Sequence, residues 1–316
     1  MSKIIDLLTK GSGLSEGDVR SIVSNAPSRY KTYTIPKRNG GERLISQPAR
    51  EVKLFQRILV MEILSSLPVH GSALAYREGK SIRDNAEAHV HGGAILKFDF
   101  KEFFPSITSR DWWAYCKKNN LFENDDDITT SAKILFRRTK YGSVLRLAIG
   151  APSSPFLSNI LMAEFDSKIF EAVSADNVTY TRYADDLTFS AKRAGNLSGV
   201  ESVLRKIIRE TSSPHLRINE KKTVFSTKKF RRVVTGLVLS DDGEVSLGHK
   251  RKREIRATLH HYVLGKLDDQ ESLRLAGLLA FVNAVEPTFL LRLTEKYGHE
   301  IIRQLKERQY PYRTRD

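Results

Sequence analysis

One cysteine, Cys116, is all the thiol chemistry in this chain of 316 residues. It cannot close an intrachain disulfide and offers no thiolate metal cluster, so a reducing, cytoplasmic setting is expected. Long apolar runs are also missing. The best stretch, AGLLAFVNAV from Ala276 to Val285, is too short to cross a bilayer and contains Asn283. The opening MSKIIDLLTKGSG lacks the apolar core and cleavage site of a secretory signal. No internal repeat and no low-complexity tract is present. Apolar residues at 40% and charged residues at 28% fit a soluble globular protein without a membrane partner.

Acidic side chains are comparatively scarce. Asp plus Glu number 37 against 52 Lys plus Arg, a formal charge of +15. That excess favours a polyanionic partner. Two runs concentrate it, Lys228-Lys229-Phe230-Arg231-Arg232 and His249-Lys250-Arg251-Lys252-Arg253. Either alone reads more readily as a solvated loop or helix face. Together they are better explained as a track for a phosphate backbone.

The order of elements reads as α+β. Residues 1–28 form a short helical unit broken by Gly11, Gly13, Gly17 and Pro27. YKTYTIPKRNGGERLISQP is a hairpin turning at Asn39-Gly40-Gly41. A helix follows over residues 51–67, with Val52, Phe55, Ile58, Leu59, Ile63 and Leu64 on one side. A short strand, GAILKFD, ends on Asp99. After a helical and loop region over 108–145, Ser154 caps a helix with Pro155 in its first turn and apolar spacing to Ile169. Residues 178–190 form a second hairpin. A helix over 198–211 comes next, with strands near 216–226 and 233–247, and the chain is helical from about Lys250 onward.

The second hairpin, TYTRYADDLTFS from Thr179 to Ser190, places Asp185 beside Asp186 among strand-forming residues. Neighbours in a regular strand face opposite ways, so both can serve one ligand only at a bend. Buried carboxylates cost several kcal/mol unless protonated or paired, on the order of the penalties known for unpaired charge. A divalent metal supplies one such compensation, and Asp99 at its own strand end is a further oxygen donor. Two ions can clamp the attacking and leaving oxygens of a phosphoryl transfer. By contrast, Asp125-Asp126-Asp127 has no apolar flanks and reads as a solvated run.

YADD at 183–186, preceded by RLISQP, FDFKEFFPSI and GAPSSPFLSN, resembles the core of reverse transcriptases, most closely the bacterial retron group. The resemblance extends from about Tyr30 to Gly298. It implies a right-hand polymerase fold: an N-terminal helical extension over 1–29, fingers with the start of the palm over 30–92, a ferredoxin-like palm with inserted fingers helices over 93–235, and a helical thumb and RNA-binding region over 236–316. It implies Asp99, Asp185 and Asp186 as the catalytic carboxylates holding two Mg²⁺ ions, with the Phe100 carbonyl as a further ligand. Phe104 takes the place of the aromatic that selects deoxynucleotides, unless it is simply a core residue. Arg43, and more weakly Lys37, fall where the fingers meet the triphosphate, and Gly150 and Ala151 line the nucleotide pocket. Lys221 or Lys222 stands where a lysine assists the pyrophosphate leaving group; Lys222 is the expected catalytic one. Ala148 and Ile149 replace the usual proline and glutamine, which removes a polar contact from the pocket.

Two further likenesses narrow the branch. Asn85-Ala86-Glu87-Ala88-His89 resembles the retron NAxxH feature, and Val234-Thr235-Gly236 resembles its VTG feature. They imply RNA-binding roles for Asn85, His89, Val234, Thr235 and Gly236, and the basic side of the thumb, Lys250 to Arg253, would share that role. The expected function is reverse transcription of a cognate structured noncoding RNA from dNTPs. Priming from an internal guanosine 2′-hydroxyl would leave branched RNA–DNA (msDNA), with a separate effector protein in an antiphage defence system. No RNase H domain is visible, so a host RNase H is an expected partner. The alternatives are a group II intron-like or diversity-generating reverse transcriptase, and a catalytically weak RNA-binding scaffold.

Overall fold

The computed structural model describes residues 2–37, 40–139 and 142–307. In chain order the elements begin with helices α1 (Lys3–Ser12) and α2 (Glu16–Asn25), the hairpin β1 (Tyr30–Pro36) and β2 (Glu42–Pro48), and helices α3 (Arg50–Glu62) and α4 (Ile82–Glu87). Then come β3 (Ala94–Asp99), α5 (Phe103–Ser106), α6 (Ser109–Lys118), α7 (Asp125–Leu135), α8 (Ser154–Leu161) and α9 (Ala163–Ser174). The hairpin β4 (Thr179–Tyr183) and β5 (Asp186–Ala191) leads to α10 (Val200–Glu210) and β6 (Val224–Thr227). Three short strands, β7 (Arg232–Val234), β8 (Leu237–Leu239) and β9 (Val245–Ser246), precede α11 (His249–Val263), α12 (Asp269–Val285), α13 (Pro287–Tyr297) and α14 (His299–Glu307).

These elements make two compact units. The first is built from stretches ending at Tyr76, Phe189 and Val224; the second from Arg77–Ile95, Ser190–Ala194 and the chain from Phe225 onward. The four-stranded sheet runs β4-β5-β3-β6. Numbered by their own chain order, its strands read 2-3-1-4, with helices between the first and second and between the third and fourth. That is the split βαβ arrangement of the ferredoxin-like fold, the one expected for a palm. The order puts the end of β3, carrying Asp99, beside the β4–β5 hairpin.

In the first unit, α3 buries Val52, Phe55, Gln56, Ile58 and Leu59 along one stripe, the pattern of an amphipathic helix. Gln56 is fully buried and donates to the Ile134 carbonyl at 2.9 Å and the Tyr30 hydroxyl at 2.9 Å, so its amide is anchored. Gly11 lies inside α1 instead of ending it. A Cβ there would meet Ile58 Cδ1 at 3.0 Å, so glycine lets α1 close onto α3. In the second unit, α4 and β7–β9 bury Ala86, Val234 and Leu237 in the same core as Ile255, Leu279, Val282 and Phe289 of the C-terminal helices.

Several sequence expectations change. The helix starting at Ser154 divides at Met162 into α8 and α9, and Ser153, not Ser154, holds the cap position without a side-chain bond. The strand expected over 216–226 shortens to β6, because residues Glu220–Lys222 form a 3₁₀ turn. Asn39 of the first hairpin turn lies outside the described residues. The largest change concerns Asp127, which is 1% exposed and not solvated. Its carboxylate accepts the Ser2 hydroxyl, the Lys3 amide at 3.2 Å and the Ile4 amide at 3.1 Å, neutralising the orphan donors that open α1. Burial opposes the charge, yet these bonds hold the carboxyl below its usual range. Asp127→Ala should therefore lose about 2–3 kcal/mol in urea unfolding, since it strands buried donors of a charged acceptor. A change below about 0.5 kcal/mol, the level of an ordinary surface substitution, would contradict the anchoring role.

Candidate active site

The β4–β5 hairpin turns through Ala184 and Asp185, and Asp186 opens β5. Ala184 has φ +58°, the left-handed region that favours glycine, so the turn holds strained backbone. The Phe100 amide donates to the Asp185 carbonyl at 3.0 Å, pinning this turn to the end of β3. On the other side, the Asn219 amide donates to the Asp99 carbonyl at 2.7 Å and the Lys101 amide to the Arg217 carbonyl at 2.8 Å. Asp99 is thus gripped between the Asp185 turn and the segment leading to Lys222.

Side-chain contacts complete the grip. Lys222 Nζ donates to Asp99 Oδ2 at 2.7 Å and Asn219 Nδ2 to Asp99 Oδ1 at 3.1 Å. The 3₁₀ turn at Glu220–Lys222 delivers Lys222 to Asp99, which settles the orientation the sequence left open between Lys221 and Lys222. Partial burial lowers the Lys222 pKa, but the bond to Asp99 and the charges of Asp185 and Asp186 leave it raised. Asp185 is pushed up to about 6 by burial first, then by the charges of Asp186 and Asp99. Burial also raises Asp186, with Lys97 opposing and Asp99 reinforcing. The three carboxylates share one field. Their oxygen-only chemistry and mutual repulsion fit a hard divalent cation. Among the described residues, however, no three acidic or imidazole side chains converge as a closed metal cage.

Behind the hairpin lies a buried ion pair. Arg182 and Asp166 are both fully buried; Arg182 Nε meets Asp166 Oδ1 at 2.8 Å and Nη2 meets Oδ2 at 2.6 Å. The Tyr180 hydroxyl donates to Asp166 Oδ1 at 2.7 Å, and Arg182 Nη1 donates to Asn159 Oδ1 at 3.1 Å and the Ala184 carbonyl at 3.3 Å. Asn159 Nδ2 in turn donates to the Ala75 carbonyl at 2.8 Å. One network therefore joins α8, α9, the residue before Tyr76 and the turn that presents Asp185. Sequence reasoning missed it. The available signal was an arginine inside an otherwise buried strand, which demands a buried carboxylate partner.

A cavity of about 290 Å³ opens beside this turn, lined by Lys53, Tyr76, Phe104, Ile149, Gly150 and Ala151 among others. Phe104 faces Tyr76 with ring centroids 6.2 Å apart. The Tyr76 hydroxyl is raised by burial and by Asp185, while Arg43 lowers it, which places Arg43 in the same electrostatic neighbourhood. Gly150 has φ +114°, and a Cβ there would press on Ile45 Cγ2 at 3.0 Å and the Ser46 carbonyl at 3.2 Å. The Ser46 amide donates to the Ile149 carbonyl at 2.7 Å, so the β2 strand lies directly against this wall. Lys37 is exposed at the hairpin turn, where its amide bonds the Gly41 carbonyl at 2.9 Å. Lys53 and Tyr76 were not foreseen; nothing in their local sequence marks them.

The second unit treats the remaining expected residues differently. Asn85 and His89 are 1% and 0% exposed, and Val234 is 0% exposed, so in this fold none of the three offers a side chain to RNA. An RNA-binding role for these three would have to act through the residues they support. His89 Nδ1 lies 2.7 Å from the Ser190 hydroxyl, and Val234 belongs to the core. Thr235 (φ +47°) and Gly236 (φ +81°) form the two-residue turn between β7 and β8, and the Thr235 hydroxyl donates to the Ile82 carbonyl at 2.8 Å. The basic run is split by helical geometry. Lys250 and Arg253 are exposed at the start of α11, whereas Lys252 pairs with Glu286 and lies over the Phe289 ring, and Arg251 lies over Phe281.

Residues 35–256 match the family described as reverse transcriptase (RNA-dependent DNA polymerase). The chain is 35% identical over 286 residues to the retron Ec83 reverse transcriptase of Escherichia coli, covering 90% of this chain and 92% of that protein. It belongs to the retron reverse transcriptases. The retron Ec86 reverse transcriptase of Escherichia coli is 32% identical over 308 residues, covering 95% of this chain and 92% of that one. Telomerase from Candida albicans, solved with a fragment of telomeric RNA, superposes with a TM-score of 0.52 at 14% identity. That match covers 87% of this chain and 59% of the telomerase chain, and it shows the shared right-hand polymerase fold. The reverse transcriptase is an RNA-directed DNA polymerase, and no helix among its described residues is long and apolar enough to cross a membrane.

Two measurements check this geometry. Asp185 has a folded pKa of about 6 against an ordinary 3.8, so its contribution to stability is fully present below 3.8 and is lost as pH rises through about 6. Metal-free Asp185→Asn protein should therefore be more stable than the parent at pH 7.5, by on the order of 2 kcal/mol, with the gap closing below pH 4. Equal melting curves at pH 7.5 would contradict the crowding. Asp166→Ala leaves a buried guanidinium without its carboxylate and should cost about 3–5 kcal/mol in denaturant titration. A cost near zero would mean that the network does not hold the hairpin.

Proposed function

We propose that this reverse transcriptase copies a cognate structured noncoding RNA into DNA at the Asp99–Asp185–Asp186 cluster. The observation that carries the reading is the pinning of Asp99 to the Asp185 turn, which brings carboxylates from two distant strands into one field. In the proposed reaction a primer hydroxyl gives up its proton to solvent as its oxygen attacks the α-phosphorus of a dNTP. The bond to the β-phosphate oxygen breaks, and pyrophosphate leaves with that electron pair. Such chemistry rests on positioning and electrostatics, and no covalent enzyme intermediate is needed.

Asp99, Asp185 and Asp186, with the Phe100 carbonyl, would hold Mg²⁺, two ions in the reading favoured here. When bound, the ions lower the charge barrier between the reacting oxygens. The protein's own groups do the rest. Lys222, already protonated on Asp99, stands ready to protonate or stabilise the departing pyrophosphate once its bond to Asp99 loosens. Phe104 over Tyr76 forms the wall against the sugar, Gly150 and Ala151 let the nucleotide approach the backbone, and Arg43 reaches toward the triphosphate. Ile149 contributes its main chain to the β2 contact and offers no polar side chain to the base.

Priming from an internal guanosine 2′-hydroxyl, release of msDNA, and service in cytoplasmic antiphage defence beside an effector protein complete the proposal. Kinship with retron enzymes supports these steps. Lys250 and Arg253, with the turn of half-buried Thr235 and exposed Gly236, would contact the RNA, and Asn85, His89 and Val234 would support the fold around them. Removal of the RNA template falls to a host RNase H. The test is to purify the full chain with its bound nucleic acid and sequence it. A single structured RNA joined to DNA through a 2′–5′ linkage that a debranching enzyme cleaves is the expected result. Linear DNA extended only from 3′ ends of many unrelated RNAs would overturn the retron reading and leave a general reverse transcriptase.

A further inference from the structure

Tyr76, in the wall of the small pocket, shares a feature with Ala184 of the hairpin turn: both hold left-handed backbone, Tyr76 at φ +60°. For a bulky aromatic residue that conformation is an outlier, kept only where the surroundings over-determine it. Tyr76 is nevertheless 44% exposed, so its ring is not locked by a core. The hold comes through the main chain that precedes it.

That main chain is laced to Arg182. The Arg182 amide donates to the Ser72 carbonyl at 2.8 Å, and the Leu74 amide donates to the Arg182 carbonyl at 2.9 Å. Ala73 and Ala75 are both buried. The last tie is a side chain, for Asn159 Nδ2 donates to the Ala75 carbonyl at 2.8 Å. This carbonyl shares one rigid peptide plane with the Tyr76 amide, so fixing it fixes the plane from which the Tyr76 φ is set. Asn159 is buried in α8, the helix whose first turn, Ser154 and Pro155, lines the small pocket. Its Oδ1 accepts from Arg182 Nη1 at 3.1 Å. A carboxamide suits this position because it accepts from the guanidinium and donates to the carbonyl at once. The same Arg182 Nη1 reaches the Ala184 carbonyl, so one relay serves both left-handed residues.

The ring that this hold presents meets Phe104, with the two planes tilted by 52°. On its other side Phe104 meets Phe103 at 5.5 Å, and Phe103 is buried and stacked on Phe100 at 5.9 Å. Phe104 therefore stands between a fixed inner ring and an outer ring whose place depends on strained backbone. We propose that Asn159 is a positioning residue for sugar selection: by holding the Ala75 carbonyl it keeps Tyr76 against Phe104, and so sets how strongly deoxynucleotides are preferred over ribonucleotides. The proposal rests on the reading of the Phe104 pocket as the nucleotide site. Without the Asn159 bond Tyr76 relaxes to ordinary backbone, its ring leaves Phe104, and Phe104 gains room to yield to a 2′-hydroxyl. Asn159 touches no substrate in this role; it acts through Ala75 and Tyr76.

The test is single-nucleotide addition of dATP and of ATP by the full chain on one primed RNA template, two substrates that differ by the 2′-hydroxyl alone. The quantity read is the ratio of their kcat/KM values, so a general fall in synthesis cancels. Asn159→Ala and Tyr76→Ala should each lower the preference for dATP about tenfold or more, the size of one lost pocket contact. The double variant should fall no more than about twofold further, because residues acting as one unit are not additive. Tyr180→Phe removes the bond to Asp166 and loosens the same network without touching Ala75, so its ratio should stay within about twofold of the parent. Should Asn159→Ala melt early, Asn159→Asp takes its place: the carboxylate keeps Arg182 as a partner and loses the donor to Ala75, and the same loss is expected. Phe104→Ala separates the two levels. An unchanged ratio in that variant would sink the pocket reading and the proposal with it. A ratio that collapses for Phe104→Ala and Tyr76→Ala but holds for the Asn159 variants would overturn the proposal alone. So would losses that add in the double variant, or an equal loss in Tyr180→Phe, since general loosening would then explain the change.

Discussion

Three carboxylates held together out of water set the constraint on the first unit. Burial first, and then the charges of Asp186 and Asp99, push the Asp185 carboxyl up to about 6. A fold does not keep such a cluster unless other interactions force it. Here the force comes from backbone bonds on both sides of Asp99 and from the buried Arg182–Asp166 pair beneath the turn. Lys222 relieves part of the repulsion and a divalent ion would relieve more. Stability is given up locally so that a high negative field can exist, the condition that the proposed phosphate chemistry requires.

The same logic orders the surroundings. The strained Ala184 turn is fixed by a guanidinium that also reaches Asn159, and Asn159 donates to the carbonyl of Ala75, the residue before Tyr76. The wall of the small pocket and the carboxylate turn therefore share one rigid support. Gly150 admits the β2 strand against that wall, tying the hairpin that bears Arg43 to the segment carrying Ile149. In the second unit the chain gathers positive charge at the start of α11, where Lys250 and Arg253 are exposed.

Much of this was legible in the sequence, for identifiable reasons. Asp185 beside Asp186 inside strand-forming residues pointed to a metal role more than to an idle surface pair, and the order of the motifs pointed to the fold class and the family. The hairpins at 30–48 and 178–190 and the C-terminal helices follow from turn residues and apolar period. What stayed hidden depends on long-range partners. Asp127 looked solvated because its partners, at Ser2 to Ile4, lie more than a hundred residues away. Asn85 and His89 sit in a motif string that says nothing of burial, and only the fold turns them inward. The run Lys250 to Arg253 is uniform as a string, yet the helix sends Arg251 and Lys252 onto aromatic rings and leaves Lys250 and Arg253 outside. Lysines 221 and 222 are equivalent in sequence, and a 3₁₀ turn separates them.

The central claim is that Asp99 and the Asp185 turn act as one centre for nucleotide addition. Single-turnover incorporation of a labelled dNTP on a primed RNA template, with Mg²⁺ saturating, tests it most directly when Asp99→Asn is compared with the parent chain. The account predicts a rate at least about a thousandfold lower, as for loss of a principal electrostatic element, with template affinity within about twofold of the parent. A rate within about tenfold of the parent, less than a group of this kind contributes, would show that the chemistry is done elsewhere.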